Sequence, residues 1–281
     1  MAEARILYLA TADGLVQLAN PGKSDRWREV GRALEGQDVR AVATSPNDPL
    51  LAYAVSAKGV SRSTSGGQSW DLVQPEPSRA VIFDRAGEVY VGTERGVVLH
   101  SADGETWDTS ELSDAAIVQL VLLPDDKLLS VAADGTFCKR TPDGWKPSEM
   151  HVPQLRGLTV SPSQQQQLFC VNAVSLATRY GAHGLPAKPT GALVVLSGQP
   201  EVLLIGTQEA LLRSEDQGNT SQAVEGPTGV SALVTLPRFI DQAFAGTSQG
   251  ALWFSPDRGR SWTELADGFP PIRGLAFARA L

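Results

Sequence analysis

At 281 residues the chain could hold two ordinary domains or one large one, and its 42% hydrophobic content with 27 glycines is that of a globular protein. No apolar run approaches the ~20 residues of a membrane-spanning helix, which excludes a helical membrane protein. The net charge of -7 and a pI near 5.1 exclude a general nucleic-acid or anionic-membrane binder, because phosphate contacts need a basic surface.

From its start, the segment Met1 to Tyr8 carries neither a basic stretch nor a long apolar one and reads straight into a strand, so no secretion signal and a cytoplasmic location are expected. The run Tyr8-Leu9-Ala10-Thr11-Ala12-Asp13-Gly14 then sets a frame of strand, short connection, glycine and second strand. It returns at Tyr53 to Gly59, Tyr90 to Gly96, Leu129 to Gly135, Leu204 to Ala210 and Phe244 to Gly250. Glycine in a short connection between alternating strands supplies the positive φ of a tight hairpin, so a run of β-hairpins is predicted.

The tryptophans give the period. Trp27, Trp70, Trp107 and Trp145 follow at spacings of 43, 37 and 38 residues, and Trp262 comes 117 later, three times 39. A repeat near that length matches the ~40–45 residues of a four-stranded propeller blade. Inner strands are expected to begin near Val39, Ser78, Ile117, Leu155, Gly191, Val230 and Ile272. The prediction is an all-β, seven-bladed β-propeller of four-stranded antiparallel blades, a single domain over 1–281. Blade 1 takes about 1–37 plus 272–281, and blades 2 to 7 take 38–77, 78–115, 116–154, 155–190, 191–229 and 230–271. The first repeat has no inner strand of its own, while Ile272-Arg273-Gly274-Leu275-Ala276 matches Val39-Arg40-Ala41-Val42-Ala43. The C-terminal strand is therefore predicted to join the N-terminal blade, leaving no free edge there. Blade 5 departs most from the repeat, with Gln164 to Gln167 in a turn and an irregular end from Thr178 to Pro189. Cys138 and Cys170 lie in strand patterns without ligand spacing and read as buried free thiols in a reducing compartment.

A second motif, absent from blade 5, follows five of the hairpins. Ser255-Pro256-Asp257-Arg258-Gly259-Arg260-Ser261-Trp262 has the form S-x-D-x-G-x-x-W, and Ser63 to Trp70 repeats it with Ser65 for the aspartate. Ser101 to Trp107 is one residue short, Ser214 to Thr220 lacks the tryptophan, and Thr141 to Trp145 keeps only turn and ring. The pattern resembles the Asp box, or BNR repeat, of sialidases, sortilin-type receptors and photosystem II assembly and stability factors. A Ser or Asp oxygen accepting N–H bonds within a turn makes these carboxylates structural, so no catalytic residue, metal or cofactor is assigned.

The sialidase resemblance would require a Tyr nucleophile with a Glu partner, an arginine triad and a Phe/Tyr-Arg-Ile-Pro motif. That motif is absent, and Tyr8, Tyr53 and Tyr90 share their register with Leu129, Phe169, Leu204 and Phe244, which marks them as packing rings; Tyr180 is left over.

Two sets of residues are candidates for binding. Arg40, Arg79, Arg156 and Arg273 fall at one register position near the start of an inner strand, where the other blades have Val118, Gly191 and Ser231. At the channel mouth of a propeller such guanidinium groups would suit a carboxylate or phosphate; alternatively each pairs with an acid such as Asp38. Arg179, Tyr180, His183 and Lys188 form a possible contact loop in blade 5. The expected function is a non-catalytic binding or assembly scaffold for a protein partner, the alternative an acidic-glycan-binding or sialidase-like propeller.

Overall fold

The computed structural model describes residues 5–22, 26–163, 167–178, 181–236 and 239–279. They form seven four-stranded antiparallel sheets, and the fold is a seven-bladed β-propeller. Blade 1 is ordered Ile272–Arg279, Arg5–Thr11, Gly14–Asn20, Arg28–Ala33, so the last strand of the chain pairs with the first. The Thr44 hydroxyl of blade 2 donates to the Phe277 carbonyl at 2.8 Å and ties that strand laterally as well.

The leading strands of the other blades are Val39–Thr44, Ser78–Phe83, Ile117–Leu122, Gly157–Val160, Pro189–Leu196 and Val230–Leu236. Blade 5 starts two residues after Leu155, beyond the positive φ of Gln154, and blade 6 starts two before Gly191. The chain resolves into two compact units, Met1–Leu122 with Asp126–Met150 and Arg273–Leu281, and Leu123–Asp125 with His151–Ile272.

Within each unit, one design recurs between neighbouring blades. The second strands, such as Ala52–Ser56, Val89–Thr93 and Leu128–Ala132, are buried on both faces, which suits their β-branched and aromatic content. Tyr8, Tyr53, Tyr90, Phe169 and Phe244 stand there fully buried. Each box turn closes on itself and then packs against the preceding blade. In blade 7 the Ser255 hydroxyl accepts the Gly259 N–H at 2.8 Å, the Asp257 carboxylate accepts those of Arg260 and Ser261, and Trp262 donates to the Gly259 carbonyl at 3.2 Å. Ser63/Ser65, Ser101/Asp103 and Ser214/Asp216 repeat the turn bonds, and Trp70 repeats the indole bond to the Gly67 carbonyl. The glycine is required twice over, by a positive φ and by contact: a Cβ on Gly67 would lie 2.7 Å from Tyr8 Cε1, and one on Gly259 2.6 Å from Leu204 Cδ2. Trp70 and Trp107 meet Tyr8 and Tyr53 of the preceding blade edge-on at 6.3 and 6.1 Å.

A third link is a donor opposite the buried ring, or the leucine in its place. Gln17, paired with Tyr8, donates to the Gly66 carbonyl at 2.7 Å; Arg62, paired with Tyr53, donates to Gly104; Arg213, paired with Leu204, donates to Arg258 at 2.9 Å. Blade 4, where Thr141 to Trp145 is a tight hairpin rather than a box, substitutes Arg140, whose guanidinium lies 4.7 Å from the Tyr90 ring centre.

Candidate functional site at the leading-strand starts

The leading strands begin with a local irregularity that decides how the candidate arginines point. In blades 2, 3, 4 and 7 the ladder skips one residue between Val39 and Ala41, Ser78 and Ala80, Ile117 and Gln119, and Val230 and Ala232. The skipped residues are Arg40, Arg79, Val118 and Ser231. A bulge frees its residue from the pleat and re-aims the side chain.

Two of these re-aimed side chains, Arg40 and Ser231, bond to the next blade, as do Arg156 and Thr190 at the strand starts of blades 5 and 6. Arg40 Nη1 donates to the Ser78 carbonyl at 3.2 Å and Arg156 Nη1 to the Pro189 carbonyl at 3.4 Å. Ser231 donates to the Ile272 carbonyl at 2.6 Å, and the Thr190 hydroxyl donates to the Val230 carbonyl. Thr190, not Gly191, therefore fills this role in blade 6, and Gly191 turns with positive φ against the Arg156 carbonyl. In four blades the position makes one such hydrogen bond, and a short hydroxyl performs it in two of them.

Arg40 carries more than that bond, and Arg79 and Arg273 make ion pairs in its place. In the first unit Arg273 Nε reaches Asp38 Oδ1 at 3.1 Å, and Arg40 Nε lies 3.9 Å from Asp38 Oδ2. Arg40 Nη1 also meets Glu94 Oε1 at 2.5 Å, and Arg79 Nη2 reaches that same oxygen at 3.4 Å. The result is a ladder, Arg273–Asp38–Arg40–Glu94–Arg79, in which three cations share two carboxylates. Arg40 is largely covered at 22% side-chain exposure, whereas Arg79 and Arg273 are open at 45% and 46%. The expected acid Asp38 is present; Glu94 is new. It sits in the hairpin connection of blade 3, pinned by its N–H on the Pro77 carbonyl at 2.8 Å, where the repeat elsewhere has Ala12 and Ala57. Beside it a polar cleft of about 480 Å³ is lined by Arg95, Val97, Glu111, Leu112, Ser113 and Asp114.

Arg156 belongs to the second unit, is exposed, and has no carboxylate partner among the described residues. Of the blade-5 set, Arg179 and Tyr180 lie outside the described residues. His183 sits on the outermost strand Gly181–Gly184 opposite Leu176, with Nε2 buried and unbonded among the described residues, and Lys188 is exposed with its carbonyl accepting the Gln208 N–H. Among the described residues no group of His, Cys, Asp and Glu stands where it could hold a metal ion, and no helix is long and apolar enough to cross a membrane. Burial raises the Tyr8 phenol to about 12 and also raises that of Tyr53, the wrong direction for a tyrosine nucleophile.

Fold and site together define a β-propeller with a cationic ladder at the leading-strand starts of three adjoining blades. No family model and no curated protein matches the chain. Among solved structures, a protein from Lactobacillus plantarum superposes with a TM-score of 0.72 at 17% identity over 100% of both chains. YCF48 bound to D1 peptide gives 0.60 at 17% identity over 87% of this chain and 90% of that one. The WD40 β-propeller domain of Doa1 gives 0.68 at 14% over 85% and 86%. At these identities the likeness is one of fold.

Proposed function

We propose that the protein is a non-catalytic binding or assembly scaffold, built of Asp-box repeats, whose protein partner presents a carboxylate to Arg40, Arg79 and Arg273. The observation that carries this reading is the exchange at the bulge: Thr190 and Ser231 make the inter-blade bond with a hydroxyl, so a guanidinium there is more than the fold needs. A planar fork of donors suits a carboxylate or phosphate, and an acidic or C-terminal peptide segment supplies the former. A structural neighbour with a bound peptide gives the fold a precedent for such a role. Arg156 offers the same donors from blade 5, with His183 and Lys188 as further contacts and Arg179 and Tyr180 as their companions in sequence. The four box turns with a shared bonding scheme support the Asp-box assignment, and two buried, unbridged thiols suit a reducing cytoplasm.

The test is affinity capture from the native host with wild type and with Arg79→Ala/Arg273→Ala. A specific partner enriched on wild type and lost from the double variant supports the proposal; equal recovery on both removes the ladder as the docking site. A fluorogenic sialoside assay runs beside it, because an acidic sugar would use the same arginines. Turnover abolished by Arg273→Ala would replace the scaffold with a glycosidase.

A further inference from the structure

Glu94 occupies an unusual position in the ladder. One of its oxygens, Oε1, receives both Arg40 Nη1 and Arg79 Nη2, from two different blades, while its backbone is fixed by the Pro77 carbonyl. No carboxylate stands at the corresponding place in blades 1 and 2, where the residue is Ala12 or Ala57. The acid is thus a local addition, placed where an external carboxylate would have to sit to bridge the same two guanidinium groups. Its side chain is 34% exposed, so it can swing aside without breaking the core.

We infer that Glu94 is an internal competitor, a tethered carboxylate that occupies the anion site of Arg40 and Arg79 in the free protein and is displaced by the partner's carboxylate. This rests on the docking reading above and deepens it by assigning regulation to one residue. The competition has two consequences. It keeps guanidinium groups paired in the free protein, and it weakens every carboxylate ligand by the strength of the ion pairs that must open. Ion pairs at this exposure are worth up to ~1 kcal/mol, so removing Glu94 should tighten a carboxylate ligand by about three- to fivefold.

The experiment uses the full chain and an N-terminally fluorescein-labelled hexaglutamate peptide, followed by anisotropy at low ionic strength. Four proteins are compared: wild type, Glu94→Gln, Glu111→Gln and Arg79→Ala/Arg273→Ala. Glu94→Gln keeps the shape and removes the charge. Glu111→Gln makes the same change in net charge on the same blade without touching Arg40 or Arg79, and so measures the general field effect. The inference expects the tightening to appear in Glu94→Gln, exceed that of Glu111→Gln, and shrink as salt is added. Equal tightening in both glutamine variants, or weaker binding by Glu94→Gln, overturns the competitor role while leaving the docking site in place. No binding by wild type or Glu94→Gln, or binding unchanged in the double arginine variant, overturns the docking site and the competitor with it.

Discussion

Gly259 and Gly268 share a φ of +77°, but a side chain at Gly259 would press on Leu204 Cδ2 at 2.6 Å, whereas at Gly268 it would meet nothing within 4 Å. Replacing each by alanine separates the two demands on a box glycine. Both variants bear the left-handed backbone cost of ~1–2 kcal/mol. Only Gly259→Ala adds overpacking, so its unfolding free energy in denaturant titration should fall by a further ~1–3 kcal/mol. Equal losses would mean that the box does not depend on its seat against the preceding blade. Asp103 offers a second residue-scale test. N–H bonds from Glu105 and Thr106 hold its carboxyl down at about 2, well below the usual value. A depressed folded-state pKa stabilises above the unfolded value and loses that contribution as pH falls through the folded one. The thermal midpoints of wild type and Asp103→Asn should therefore differ by a constant amount from pH 7 to about 5 and converge between about 4 and 2. A gap that persists at pH 2 would assign the loss to something other than the carboxylate.

The C-terminal strand is the element on which blade 1 depends. Deleting 272–279 strips the partner strand from Arg5–Thr11 and exposes an edge of Leu7, Leu9 and other core residues. The truncated chain should unfold at lower temperature and aggregate, and a synthetic peptide of residues 272–279 should partly restore the midpoint by adding back as a strand. A truncated chain as stable as the full one would show that the pairing is dispensable. This strand was legible in the sequence because Ile272-Arg273-Gly274 repeats the pattern of Val39-Arg40-Ala41 while the first hairpin lacks such a run. The blades were legible for a similar reason: a ring or leucine and a hairpin connection recur in fixed order, and in four of them a box follows. What period alone did not disclose is contact between repeats. The donor opposite the buried ring or leucine is Gln17, Arg62 or Arg213, two residue types linked only by reach, so no consensus marks it. The bulge was equally silent, since a skipped pairing leaves no mark on the alternation, and with it went the role of Thr190. Glu94 stood in a hairpin connection whose other members are mostly small or polar, and its bond to Arg40 becomes visible only when blades 2 and 3 are side by side.

At the scale of the whole molecule, a fold shared with proteins of unlike function carries no activity by itself, and function has to be argued from the site. Here the site is marked by a surplus of donors. Box serines and aspartates, hairpin glycines and buried rings are consumed by the blades, whereas Arg79 and Arg273 keep nearly half their side-chain surface open and share their acids with Arg40. The proposed partner docks on this ladder. Hydrogen–deuterium exchange of the full chain, with and without the partner recovered by affinity capture, locates the contact directly. Docking on the ladder gives protection at 38–40, 78–79, 94–95 and 273–274, lost in Arg79→Ala/Arg273→Ala. Protection confined to outermost strands such as Gln222–Val224 and Thr263–Ala266, with the ladder exchanging as in the free protein, would contradict it.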